Sequence, residues 1–117
     1  MQNWNQTAPI YQQLADRLAV QLLDGDPPEG GAMPSVRALA SRYLINPLTV
    51  SRAIQALSDM GLVETRRGMG IYVRPGAREA LLKSEREQFL QEEWPALRER
   101  LARLGISAKD LNWESQQ

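Results

Sequence analysis

The chain has 117 residues, 43% of them hydrophobic, with 14 basic and 14 acidic side chains and neither cysteine nor histidine. That length supports one domain with a modest core or a small domain plus an arm, and the apolar content marks a chain that folds. The missing residue types exclude thiol nucleophiles, thiolate or imidazole metal sites and histidine general bases, and no apolar run approaches the roughly 18 residues of a membrane helix.

The first predicted element is a helix that opens with Thr7 or Ala8 as cap and Pro9 in its first turn. Ile10, Leu14, Leu18 and Leu22 recur four apart, with Tyr11, Ala15 and Ala19 alongside, which gives one buried face. It ends near Asp24 and Gly25, and the Pro- and Gly-rich stretch 26–31 is a connection that cannot stay helical. Ser35 is a good N-cap for a second helix through Tyr43 that buries Val36, Leu39 and Ala40. Asn46 caps a third helix with Pro47 at its first position, running to about Met60 with Val50, Ile54 and Leu57 inward and Gly61 as a left-handed stop. Residues 62–65 and 71–73 read as two short strands, with 66–70 as the loop between them.

Pro75 and Gly76 mark a boundary. Residues 77–94 then read as a helix with Ala80, Leu81, Phe89 and Leu90 among its apolar positions. Pro95 is expected to disrupt it and start a new helix at Trp94–Ala96. Leu97, Leu101 and Leu104 stripe that helix, Gly105 ends it, and Ser107 with Asp110 resembles a capping box for a last short helix carrying Leu111 and Trp113. The expected fold is mainly α with a small β-hairpin: a winged helix-turn-helix over residues 7–75, followed by a short helical dimerisation segment over 76–117.

Net charge is zero, yet residues 34–75 carry Arg37, Arg42, Arg52, Arg66, Arg67 and Arg74 against Asp59 and Glu64, a local charge of +4. The positive charge therefore sits on the expected reading unit, where phosphate contacts need it. The second helix of a helix-turn-helix enters the major groove. Here its outward candidates are Leu48, Thr49, Ser51, Arg52 and Gln55. Thr49 and Ser51 suit phosphate or a base edge, Leu48 a thymine methyl, and Arg52 the O6 and N7 of guanine together. The plainer alternative is an ordinary solvated helix face. Ser35 and Arg37 open the supporting helix, where free N–H groups and a guanidinium suit a phosphate, although Arg37 could equally pair with a surface acid. Arg66, Arg67 and Gly68 place two cations beside a tight turn, which suits a narrow minor groove or flanking phosphates. Gly68 and Gly70 make no phosphate loop, since no helix with Lys-Ser/Thr follows. Glu92 and Glu93 are neighbours on a helix and do not converge as a catalytic pair. Trp94 and Trp113 read as packing or interface residues. No cofactor, metal site or enzymatic constellation is expected.

Pro9–Asp16, Gly25, Pro34–Ala40, Thr49 with Val50, Gly61–Val63 and Gly68–Val73 together resemble the DNA-binding domain of the GntR family of bacterial transcription regulators, over residues 9–73. The short tail and the run Ile45–Ala53 are similar to the YtrA subfamily. The resemblance implies a homodimeric repressor on a pseudo-palindromic operator, commonly of an ABC-transporter operon and of its own gene. Dimerisation would use residues 76–117. It also implies that Arg37, Thr49 and the wing around Gly68 match the family's DNA-contact positions. Pro47 and Ser51 stand where other branches carry arginine, so Arg52 is expected to take over. The tail is too short for the effector domain or the pyridoxal-phosphate domain of larger relatives, so a small-molecule effector would have to use the dimer interface or a small crevice. The apolar tail positions (Leu81, Phe89, Leu90, Leu97, Leu101, Leu104) exceed what a three-helix head could cover, which independently favours a dimer. Residues 1–6 lack the regions of a signal peptide, so the expected compartment is the cytoplasm. The rival reading is a winged-helix protein-interaction module with no specific DNA site, which the zero net charge permits.

Overall fold

The first helix, α1, spans Ile10–Leu23 in the computed structural model, which describes residues 4–114. Leu14, Ala15, Leu18, Ala19 and Leu22 are buried along one stripe, as their spacing requires. The cap differs from the expected one. Thr7 is held by Asn5, whose Oδ1 accepts from both its N–H at 2.9 Å and its hydroxyl at 2.6 Å. The N-cap is Pro9, whose carbonyl accepts from Gln12 and Gln13.

Two side-chain caps then start two helices. Ser35 Oγ accepts from Ala38 N–H at 3.0 Å to open α2, Val36–Tyr43. Asn46 Oδ1 accepts from Leu48 N–H at 2.8 Å to open α3, Pro47–Asp59. Each satisfies a donor that the first turn leaves without an intrahelical partner. Between them Leu44 takes the left-handed conformation, φ 57°, with its side chain 80% exposed. Leu39, Ala40 and Tyr43 of α2 and Val50, Ala53, Ile54 and Leu57 of α3 pack with the α1 stripe into one core. Val36 is only half-buried.

Gly61, at φ 78°, turns the chain out of α3 into an antiparallel pair, β1 (Val63–Arg66) and β2 (Gly70–Val73). Val63 faces Val73 and both are buried; Arg66 faces Gly70. Arg66 thus belongs to β1 and not to the loop, and Leu62 precedes the strand. The connection before α2 also reaches this hairpin. Ala32 bridges Tyr72, and Met33 N–H donates to Ile71 C=O at 2.8 Å. The turn within this connection is tight at Gly31, where a Cβ would lie 2.9 Å from the Pro28 carbonyl oxygen.

Helix α4 spans Ala77–Gln88. Its start is tied to the connection after α1. The Glu29 carboxylate accepts from Gly76 N–H at 2.8 Å and from Arg78 N–H at 3.1 Å, and Arg78 Nε donates to the Leu23 carbonyl at 2.7 Å. One carboxylate caps the N-terminus of α4 and one guanidinium serves the C-terminus of α1. Ala77 and Leu81 are buried in the head core. The first compact unit therefore runs to Leu82, past the Pro75–Gly76 boundary. Leu81, counted above with the tail's unpartnered apolar positions, is a core residue of the head.

The second unit covers residues 83–117. α5, Trp94–Arg103, starts where Pro95 is expected to open a new helix, but the chain does not leave the helical path: α4 is joined to α5 through a π turn at Phe89–Glu93. Trp94 N–H bonds to Phe89 C=O, five residues back. The wider turn accommodates a residue with no N–H of its own and relieves the clash its ring makes with an α-helical carbonyl. Gly105, at φ 69°, follows α5. Asp110 then accepts from Ser107 N–H at 2.9 Å, opening one 3₁₀ turn at Ala108–Asp110. Phe89, Leu90, Leu97, Leu104, Leu111 and Trp113 are exposed.

Candidate nucleic-acid interface

The face that α3 presents follows from its burial. Residues advance about 100° per step around a helix, so burying Val50, Ala53, Ile54 and Leu57 turns Leu48, Ser51, Arg52 and Gln55 outward. Leu48 is 74% exposed at the first turn, a large apolar side chain that the head does not cover. Thr49 lies beside it, half-buried, with its N–H bonded to the Asn46 carbonyl at 2.9 Å.

The outward stripe has two flanks. Ser51 lies toward the hairpin, in a shallow crevice with Val36, Ile54, Gln55, Thr65 and Ile71. Arg52 lies toward α1, its guanidinium carbon 4.3 Å from the centre of the Tyr11 ring. Gln55 donates to Asp59 Oδ1 at 2.9 Å one turn further along the stripe. The acid thus stands at the C-terminal end of α3 and the cation nearer its N-terminal end.

Ser35 and Arg37 are exposed at the start of α2. The Ser35 oxygen already accepts from Ala38, which leaves its hydroxyl proton for a partner. In the wing the two arginines separate. Arg66 is half-buried, its guanidinium 4.2 Å from the Tyr72 ring centre and 3.6 Å from Glu64. Register explains this: Glu64 pairs with Tyr72, and Glu64 and Arg66 are two apart on one face of the hairpin. Arg67 is exposed at the tip, where Met69 N–H bonds to Arg66 C=O at 2.8 Å. The turn needs a positive φ at its third residue, and Gly68 supplies it at 75°. Met69 is 67% exposed beside it.

The expected site residues fall into three clusters on the first compact unit: the α2 start, the outward stripe of α3 and the wing tip. Arg66 is the one drawn back from the tip. Periodicity puts Tyr11 on the core face of α1 and Tyr72 in a strand, and links neither to an arginine. Arg52 lies 41 residues from Tyr11, so no local pattern signals that pair; the i, i+2 spacing of Glu64 and Arg66 could have signalled the other. Among the described residues no acidic cluster could hold a metal ion, and no helix is long and apolar enough to cross a membrane.

The model of the bacterial regulatory proteins of the gntR family matches residues 10–73, which covers α1 through β2. The chain is 37% identical over 79 residues to the HTH-type transcriptional repressor YtrA of Bacillus subtilis; the aligned stretch spans 68% of this chain and 61% of that protein. Its fold is similar to the crystal structure of a GntR-family regulator from Bacteroides thetaiotaomicron, with a TM-score of 0.68 at 37% identity, over 87% of this chain and 88% of the other. YtrA from Sulfolobus acidocaldarius, a GntR-family transcription factor, aligns with a TM-score of 0.59 at 28% identity, over 75% of this chain and 93% of its own. The chain belongs to the GntR family of bacterial regulatory proteins, as a DNA-binding transcriptional regulator of winged helix-turn-helix type similar to the YtrA members.

Proposed function

We propose that the chain is a cytoplasmic homodimeric repressor that binds an inverted-repeat operator of a transporter operon of the ABC type and of its own gene. The observation that carries this reading is the grouping of exposed Leu48, Ser51 and Arg52 on one stripe of α3, within a window whose net charge is +4. In this reading α3 lies in the major groove, with Leu48, Thr49, Ser51 and Arg52 meeting base edges and nearby phosphates. Ser35 and Arg37 hold a phosphate at the start of α2. Arg67 and Gly68 approach the minor groove, while Arg66 stiffens the hairpin that carries them.

Dimerisation is supported by the tail. Phe89, Leu90, Leu97 and Leu104 are each more than 40% exposed and recur about every two helical turns, apolar surface that costs free energy unless it is covered. A second copy would cover it, and two-fold symmetry would match an inverted repeat. A small-molecule effector would then act at that interface. Repression by YtrA of Bacillus subtilis supports the sign of the regulation.

Fluorescence anisotropy of the full chain on duplexes tiled across its own promoter, at two salt concentrations, tests the reading. The expected result is tight binding to one inverted-repeat fragment, far weaker binding to random duplex, and a steep loss of both with salt as counterions are released. Absence of binding to any duplex at low salt would favour a protein-interaction module instead.

A further inference from the structure

We propose that Tyr11 is a positioning residue for base reading by Arg52, which rests on the reading of α3 as the major-groove helix. An exposed arginine on a reading helix ordinarily samples many rotamers, and each must be frozen when it meets a base. Here the guanidinium lies 4.3 Å from the centre of the Tyr11 ring, in the first turn of α1. A cation held over a ring face spends none of its N–H donors on a hydrogen-bond acceptor, so the contact need not compete with a base edge for them.

No hydrogen bond or ion pair among the described residues engages those donors. Asp59, the acid that lines the same crevice, is hydrogen-bonded by Gln55. Among the described residues the ion pair within 4 Å is Arg66 with Glu64, and none involves Arg52. The two other stacked arginines differ in this respect or in place. Arg66 on Tyr72 is also paired with Glu64, and Arg17 on Trp4 lies on α1, away from the reading stripe. Arg52 on Tyr11 is therefore the stack that presents an arginine fork from the outward stripe of α3. Tyr11 fixes where that fork points without itself needing to touch a base.

The test uses the full chain and a duplex enriched from a random pool by the wild type, with a scrambled duplex as control. Tyr11→Leu is expected to lower the preference for the enriched duplex about two- to fivefold, the range of an exposed cation–π contact. Its affinity for the scrambled duplex should stay close to wild type, and its melting temperature should fall only by the several degrees that a half-buried ring and its cation contact contribute. Tyr11→Phe keeps the ring and should retain the preference. Arg52→Ala should lower it further, and adding Tyr11→Leu to Arg52→Ala should cost nothing more. Tyr11→Met is the second ring-removing variant should the leucine fail to fold. Wild-type preference in both, equal losses on both duplexes, or additive losses in the double variant would each overturn the proposal. Failure of the wild type to enrich any sequence would overturn the reading of α3 itself, and this proposal with it.

Discussion

In the proposed reading of α3, Arg52 carries the base discrimination. Replacing it with alanine should cost about 1–3 kcal/mol on the preferred duplex and relax selectivity at one base position, read by anisotropy against a panel of single-base variants. An equal loss on every duplex would make it a phosphate contact. Arg67→Ala should behave that way, weakening all duplexes alike and flattening the salt slope by about one. Leu44 offers a test at the same scale that does not involve DNA. Its φ of 57° and 80% exposure mean that its side chain strains the turn without packing against the core. Removing a left-handed penalty of about 1–2 kcal/mol outweighs the roughly 0.5–1 kcal/mol of chain entropy that glycine costs. Leu44→Gly should therefore raise the melting temperature, and a lowered one would show that the leucine makes a contact worth more than the strain. Which residues face outward could be read from helical spacing; what each one touches could not. The Arg52 stack joins positions in two helices, a product of how α1 and α3 pack.

Helix starts are the elements that the sequence encodes most directly, because a cap is a contact between near neighbours. Ser35 and Asn46 both cap as their residue types suggest, and Ser35→Ala should cost about 1 kcal/mol in a denaturation curve. Caps that reach across the chain are invisible to that logic. α4 is capped by Glu29, 47 residues before Gly76, whereas Thr7 is lost as a cap to a local competitor, Asn5, two residues before it. Hydrogen bonds from Gly76 and Arg78 to the Glu29 carboxylate hold its pKa below the ordinary value of 4.5. A carboxyl with a lowered folded-state pKa stabilises the fold above the unfolded-state value and loses that contribution as pH falls through the folded-state one. Glu29→Gln should therefore melt below wild type at pH 7, and the gap should close as the pH is lowered past about 4.5. A gap that stays constant with pH would assign the effect to packing. Pro95 is the opposite lesson: its chemistry was legible, but the helix absorbs it through a π turn that local propensity does not anticipate.

For the whole molecule, the winged head was legible from periodicity, caps and turn residues in register, whereas its edge was not. Composition changes at Pro75, but Ala77 and Leu81 continue the core, so the head needs the first turns of α4. A chain ended at Gly76 should lose several kcal/mol, as deletion of a buried leucine alone costs about 2–5. One ended at Leu82 should melt cooperatively yet bind DNA weakly, for want of the tail. Leu97→Glu in the full chain should likewise leave the head's melt unchanged while shifting the sedimentation coefficient to that of a monomer. An unchanged coefficient would mean that this face does not form the dimer. The most direct test of the central claim is to sequence the duplexes that the full chain enriches from a random pool. A two-fold reader predicts an inverted repeat whose half-sites lie about one helical turn apart, with a guanine at one position in each half. Enrichment of a single unrepeated motif, or of none, would contradict it.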